Sequence, residues 1–328
     1  MIITRTPFRI SFFGGGTDYP VFYRKYGGLV LNVTIDKYCY ITVRRYPPFF
    51  DHKYHIRYSI REMVNEIDQI QHPSVRECIR FTGYKDGIEV VHTGDLPARS
   101  GIGSSSAFTV GLLHAIYALE GRMVTKRKLA VDAIKVEQEM IHENVGSQDQ
   151  FAAAFGGLNR MDFSTDGSIW VTPMTIGAEK IQKLQSSLMF YFTGLSRNAS
   201  DIAAQQIKAT PDKTKELLYM KEITEEAISV LNGPVERLND IGALLHESWK
   251  IKKGLTSQIS TGFIDDIYET AIKNGAIGGK LCGAGGGGFM IFYVPPPSQE
   301  KVKNALKHLL LVPFRFESLG SHVIFYAT

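Results

Sequence analysis

The chain predicts an α+β protein of two domains, and three observations carry that prediction. Strand signals crowd the first hundred residues, helical spacing dominates 106–155 and the region beyond 195, and the strands that return come in short groups. Strict strand–helix alternation, the mark of a doubly wound sheet, is absent. At 328 residues there is material for two cores, and the polar run AEKIQKLQSS ahead of a new strand sets the expected division at 1–184 and 185–328.

Each element follows from a local pattern. LVLNVTID (29–36), KYCYITV (37–43), HIRYS (55–59) and IEVVHTG (88–94) are β-branched or aromatic runs bounded by Gly, Pro or Asp. REMVNEIDQI, between the last two, reads as a short helix. From residue 106 the period turns helical in AFTVGLLHAIYAL, KRKLAVDAIKVEQEMI and QDQFAAAF, the third ended by Gly156-Gly157. Strands follow at LNRMDF, SIWVTPM and SLMFYFT. Helices are expected over 197–209, 212–231, 234–253 and 262–274, then strands AIGGKLC and GFMIFYV, a helix over 298–310 and two terminal strands.

Composition narrows the function classes. With 37 basic and 33 acidic side chains the net charge is +4, too small an excess to argue for nucleic acid but compatible with an anionic small molecule. Cys39, Cys78 and Cys282 are far apart and form no CxxC pair, which disfavours a disulfide framework or a zinc site and points to a reducing cytosol. The start MIITRTPFRI lacks a secretory apolar segment, and no apolar run approaches the roughly 18–20 residues that span a bilayer. A cytoplasmic protein without membrane partners is expected.

Three glycine clusters stand out: GGGTD (14–18), SGIGSSSA (100–107) and CGAGGGGF (282–289). GAGGGG fits the spacing of a dinucleotide fingerprint, but a strand ended by prolines follows it where a helix is required. No cluster supplies the lysine of a Walker A loop. SGIGSSSA does open a helix, whose first turn leaves N–H groups unpaired, and Gly101 and Gly103 let a ligand approach the backbone. With the positive dipole end aimed the same way, this is a phosphate cradle. An N-cap would explain one serine, not three.

Carboxylates stand in telling places. On the helix over 126–141, Leu129, Ala133, Ile134, Val136, Met140 and Ile141 share one arc, and Glu137 falls within it; Lys128, Asp132, Lys135 and Glu139 lie opposite. A buried carboxylate needs a cation, either a metal or an arginine. Ser147 and Gln150 read as a capping box that puts Asp149 in a first helical turn, where it is either functional or a complement to the dipole. Arg9 and Ser11 share one side of a strand, and Asp18 follows a turn able to present it to hydroxyl groups.

In order, TPFRISFFGGGTDY, PARSGIGSSSA, GSQDQ and KLCGAGGGGF resemble the signature segments of the galactokinase, homoserine kinase, mevalonate kinase and phosphomevalonate kinase (GHMP) superfamily. The resemblance implies an N-terminal half like the second domain of ribosomal protein S5 and a ferredoxin-like C-terminal half. It implies ATP phosphates on Gly101, Ile102, Gly103, Ser104, Ser105 and Ser106, and Mg²⁺ held by Ser105 and Glu137. Asp149 is implied as the base on the acceptor hydroxyl, with Arg9 the cation beside it. Substrate is implied between the domains, near Gly15, Gly16, Thr17 and Asp18 and the third motif's Gly285 and Gly286.

Where galactokinases carry Glu-His, this chain has Gly15-Gly16, which makes room and removes a negative charge. RISFFGGGTD with YGGLVLNVTIDKY resembles the branch that phosphorylates C1 of D-glycero-D-manno-heptose 7-phosphate, giving the 1,7-bisphosphate for nucleotide-heptose and surface polysaccharide synthesis. A 7-phosphate needs cations; Arg197 in TGLSRNASDI and the basic stretch RRYPPFFDHKYHIR (44–57) are the candidates. Two other readings stay open: a 1-kinase for an unphosphorylated sugar such as fucose or galactose, and a non-catalytic regulator that binds ATP and sugar. Retention of Ser105, Glu137, Asp149 and Arg9 together argues against the regulator.

Overall fold

Strand β1 (Ile2–Phe13) runs antiparallel to β2 (Gly28–Arg45) along nearly its whole length, and this pair is the spine of the fold. The computed structural model describes residues 1–194 and 199–327. β2 joins two runs that the sequence separates only by Asp36-Lys37. Pro7 has no N–H to give a ladder, and the register shifts between Pro7 and Phe8. Between the two strands, Pro20–Tyr26 forms helix α1, with proline at its first position.

The sheet grows from this spine through β3 (Tyr54–Arg57), β4 (Arg61–Val64), β5 (Ile88–Gly94), β6 (Leu158–Phe163) and β7 (Ile169–Pro173). Its order is β1-β2-β5-β3-β4, with the C-terminal strand His322–Tyr326 on the outer side of β1 and β6 and β7 on the other stretch of β2. Residues 61–70, expected as a helix, instead give β4, paired with β3, and a single 3₁₀ turn. Glu62 explains the change: buried, its carboxylate accepts the Tyr58 hydroxyl and the N–H groups of Gln71 and His72. The helix lies just beyond, as α2 (Pro73–Thr82), bounded by Pro73 at its start and by left-handed Gly83 at its end.

α3 (Ser104–Leu119), α4 (Lys126–Ile134) and α5 (Gln148–Phe155) complete this layer. α3 is apolar on nearly every side because it is enclosed by the sheet, α2 and α5. It packs closely on the sheet at Gly111, whose carbonyl accepts the Thr4 hydroxyl at 2.9 Å. The helix expected to run on to 141 changes pitch at Lys135–Met140, which form a π-helical turn. Asp132, expected on the solvent face, is buried against the Tyr117 hydroxyl at 2.7 Å and paired with Lys128.

AEKIQKLQSS, read as a polar boundary, is largely helical: α6 (Ala178–Ser186) buries Leu184 on one stripe. A second sheet follows, ordered β11-β8-β10-β9 and antiparallel throughout, from β8 (Leu188–Phe192), β9 (Gly278–Leu281), β10 (Phe289–Tyr293) and β11 (Leu310–Leu311). Helices α7 (Ala199–Ala209), α8 (Thr214–Asn232), α9 (Asp240–Lys253), α10 (Gly262–Lys273) and α11 (Gln299–Ala305) belong to this half. Phe190 and Phe289 stack across it at 4.5 Å. The last strands, β12 (Phe316–Glu317) and β13 (His322–Tyr326), return to pair with β2 and β1. The chain after 185 therefore contributes to both sheets, so the two structural halves are not two unbroken stretches of sequence. Among the described residues, no helix is long and apolar enough to cross a membrane.

The contact of α3 with the spine is testable. A Cβ at Gly111 would lie 2.8 Å from the Thr6 hydroxyl. Gly111→Ala is expected to lower unfolding stability by about 1–3 kcal/mol despite its better helix propensity. A urea midpoint that falls at unchanged slope checks this.

Candidate active site

Two elements meet at the centre of the site. Arg9 projects from β1 and Asp149 from the first turn of α5, and they form a bidentate pair: Nε to Oδ1 at 2.8 Å and Nη2 to Oδ2 at 2.7 Å. The remaining arm of the guanidinium, Nη1, donates to the Gly101 carbonyl at 2.7 Å, while the Arg9 backbone N–H donates to the Ile102 carbonyl at 3.0 Å. Burial works against the Arg9 charge, but Asp149 more than offsets it and holds the pKa above its ordinary value.

The loop so anchored is the candidate phosphate cradle. Gly101 and Gly103 both have left-handed φ (+81° and +74°). A Cβ on Gly103 would stand 3.2 Å from Arg9 Cγ and 3.5 Å from Asp149 Oδ2, so the loop lies directly against the ion pair. Ile102 is fully buried and anchors the loop from below. The first helical bond of α3 is Ala107 N–H to Gly103 carbonyl at 2.9 Å, which leaves the N–H groups of Ser104, Ser105 and Ser106 ahead of the ladder.

The three serine side chains divide. Ser104 Oγ accepts the Arg99 N–H at 3.1 Å and closes the loop. Ser105 Oγ donates to Glu143 at 3.2 Å, and Ser106 Oγ donates to Glu137 at 2.8 Å. The family resemblance paired Ser105 with Glu137; here Ser106 is Glu137's partner, and Glu143 is an additional carboxylate that no sequence pattern marked.

Glu137 sits in the π-helical turn, fully buried as its arc required. Its partners are Ser106 and the Gln150 side chain rather than an arginine, and its Oε1 has no partner among the described residues. Burial pushes its pKa up to about 7, with Glu143 adding repulsion against the hydrogen bonds that lower it. An unpartnered buried carboxylate oxygen among hydroxyl and carboxylate oxygens is a donor set that suits a hard divalent cation such as Mg²⁺.

The capping box does not form. Gln150 is spent on Glu137, and Ser147 Oγ accepts the Gln138 amide at 3.1 Å. Asp18 organises the start of α5 instead: its carbonyl accepts the Ser147 N–H at 3.0 Å, and its carboxylate faces the Gln148 N–H (3.4 Å) and holds the Gly16 N–H (2.9 Å). Burial raises the Asp18 pKa, opposed by the Gly16 bond. Gly146 must be glycine here, since a Cβ would fall 1.9 Å from Asp18 Oδ2.

The residues implied for substrate separate in the same way. Thr17 is fully buried, its hydroxyl donating to the Gly14 carbonyl at 2.8 Å, so it staples the turn. A side chain at Gly16 would meet Gln206 at 2.8 Å, whereas one at Gly15 would find only Ser11 Oγ at 3.7 Å and the Gln148 amide at 3.9 Å. Ser11 Oγ and Gln148 Oε1 are buried without partners among the described residues, beside the open space at Gly15. The Gly286 N–H is taken by the Ile259 carbonyl at 3.0 Å, and Gly285 backs onto Ile259, which makes both packing positions. In the basic stretch, Arg44 and His55 are engaged with Glu89. Arg197 lies outside the described residues.

Comparison with known proteins identifies the family. A family model described as GHMP kinases N terminal domain matches residues 70–157, and one described as GHMP kinases C terminal matches 223–310. The D-glycero-alpha-D-manno-heptose 7-phosphate kinase of Campylobacter jejuni is 31% identical over 316 residues, covering 93% of each chain. The galactokinase of Pyrococcus furiosus is 25% identical over 355 residues, covering 97% of this chain and 96% of that one. Among solved structures, a D-glycero-D-manno-heptose 1-phosphate kinase from Bacteroides thetaiotaomicron matches with TM-score 0.79 over all of both chains at 24% identity. Lactococcus lactis galactokinase complexed with galactose gives 0.75 at 18% identity, over 98% of this chain and 94% of that one. These last two speak for the fold. With both family models matched in order and a relative 31% identical along almost the full length, the chain belongs to the GHMP kinase family.

Proposed function

We propose that the protein transfers the terminal phosphoryl group of ATP to the anomeric C1 hydroxyl of D-glycero-D-manno-heptose 7-phosphate. One observation carries the chemistry: the Arg9–Asp149 pair lies against Gly103, so the carboxylate and the phosphate loop share one point of transfer. The unpaired N–H groups at the start of α3 and its dipole hold the triphosphate. Asp149 orients the C1 hydroxyl and accepts its proton as the new O–P bond forms and the bridging P–O bond to ADP breaks. Arg9 fixes both Asp149 oxygens, so the base has one orientation.

Ser105, Ser106, Glu137 and Glu143 are the residues that would hold Mg²⁺, which when bound offsets the charge of the phosphates. Ser11 and Gln148, with the space at Gly15, receive the sugar hydroxyls. The choice of sugar is supported by the 31% identity to the Campylobacter jejuni heptose 7-phosphate kinase and by the absence of side chains at Gly15-Gly16. Arg197 is the proposed partner of the 7-phosphate.

An acceptor panel of heptose 7-phosphate, galactose, fucose and mannose, followed by ADP release, tests the substrate. The highest kcat/KM is expected on the heptose 7-phosphate; equal turnover of an unphosphorylated sugar overturns that choice. Arg197→Ala is expected to raise KM for the sugar phosphate only. Asp149→Asn is expected to lower kcat by about 10²–10⁴ while ATP-analogue binding by calorimetry is retained. Ser106→Ala is expected to raise the Mg²⁺ concentration needed for half-maximal rate by about 10- to 100-fold, read from a metal titration of initial rates.

A further inference from the structure

Two lysines behind the transfer site have no part in the chemistry above. Lys252, in the last turn of α9, is 4% exposed, and Lys280, in β9, is 2% exposed. Helix and strand are brought together by glycines, for a Cβ at Gly278 would lie 2.0 Å from the Gly242 carbonyl. Lys252 Nζ donates to the Gly283 carbonyl. Lys280 Nζ crosses to the other sheet and donates to the carbonyls of Ser11 (2.8 Å) and Phe12 (3.0 Å) in β1.

Those carbonyls belong to the loops that make the site. Gly283 abuts Gly101, since a Cβ on Gly283 would stand 2.4 Å from Gly101 Cα and one on Gly101 would stand 2.4 Å from the Cys282 carbonyl oxygen, and Gly101 is the residue whose carbonyl holds Arg9. Ser11 and Phe12 lead into the Gly14–Asp18 turn. The charged and titratable groups facing the lysines are Arg9 from β1, Asp18 from the turn after it, Cys282 from the loop after β9, and each other. Arg9 is already committed to Asp149. Three cations (Arg9, Lys252, Lys280) therefore stand against two carboxylates (Asp149, Asp18), with no carboxylate bonded to either lysine among the described residues.

An ammonium buried without a carboxylate is costly, and a neutral glutamine would donate to the same carbonyls without that cost. We propose that Lys252 and Lys280 are positioning residues for phosphoryl transfer: their ammonium groups fix the Gly283, Ser11 and Phe12 carbonyls, closing the third glycine loop and the substrate turn onto the phosphate loop, and their charge is matched by the incoming phosphates. Burial pushes Lys252 down to about 8 and Lys280 down to about 7, the charge of Lys252 adding to the shift of Lys280. The protonated form is thus complete at lower pH and is lost as pH rises through that range.

The test uses the full chain, ATP and whichever sugar supports turnover. Lys252→Met and Lys280→Met are expected to lower kcat at least about tenfold while the Kd for an ATP analogue moves less than about threefold. Lys280→Arg, always charged at the position that loses its proton first, is expected to keep turnover and carry the alkaline limb of the kcat–pH profile upward. Methionine variants within about twofold of wild type, or an arginine variant whose alkaline limb stays in place, overturn the proposal. Because a buried methionine can unfold the protein, the wild-type profile is a second measurement: kcat falling above about pH 7 supports the proposal, and a flat profile to about pH 9.5 overturns it. The proposal rests on transfer at Asp149, which Asp149→Asn tests separately. Turnover surviving that substitution overturns the site, whereas unchanged lysine variants overturn only this inference.

Discussion

The architecture of the site depends on one side chain, Arg9. Its guanidinium joins three parts of the chain: β1 that carries it, the phosphate loop 92 residues on through the Gly101 carbonyl, and α5 140 residues on through Asp149. A lysine could satisfy one of these partners as a point charge but not the forked pair and the carbonyl together. Because Arg9 is 5% exposed, its bonds form where water competes little, and each is correspondingly stronger and harder to replace. The pair also explains why Gly103 carries no side chain, since a Cβ would push against Arg9 and Asp149 at once.

Around that pair the protein concentrates charge that burial opposes. Glu137 and Asp18 are held toward their neutral forms, and Lys252 and Lys280 likewise. A fold gains no stability from such groups, because desolvation exceeds what a few hydrogen bonds return. Their presence fits the proposed transfer, in which positive and negative groups fixed beforehand need little reorganisation around the phosphates. Among the described residues, Glu137 has one oxygen unpartnered and the lysines are bonded only to carbonyls, which is what the proposed cation and phosphates would complete.

Much of this was legible in the sequence, and the failures have physical causes. Short strands with β-branched alternation and helices with clean apolar stripes were read correctly, as was the buried position of Glu137. Residues 61–70 misled because Glu62 and Gln69 look helical, while the buried carboxylate is recruited by neighbouring backbone N–H groups. α2 carried its own signal in Pro73 and Gly83, a proline at the start and a glycine at the end. The capping box at Ser147 failed because Gln150 had a better partner 13 residues away in Glu137, and no local pattern reports a competitor brought in by tertiary contact. Glu143, Gln148, Lys252 and Lys280 were invisible for the same reason: their roles come from what the fold puts beside them.

The glycine clusters show how far such long-range reasoning can go. Read one at a time, each is a turn. In the fold they are mutually required surfaces: Gly101 and Gly283 exclude side chains from each other, Gly288 presses on the Ser100 carbonyl, and Gly146 leaves room for Asp18. A close approach of two backbones excludes a side chain on at least one side, so the cluster at 100–103 and the cluster at 283–288 fit each other by alternating glycines, Gly288 against Ser100 and Gly101 against Cys282. The same logic gives the third serine its place. Ser106 is 1% exposed on a helix otherwise buried in apolar contacts, and a hydroxyl there must find a partner. It finds Glu137, and an alanine at that position would leave the carboxylate with Gln150 alone. Ser106 therefore has a place in the glycine–serine motif for a reason separate from the phosphates: it orients Glu137, one of the two carboxylates proposed to hold a cation at the head of α3.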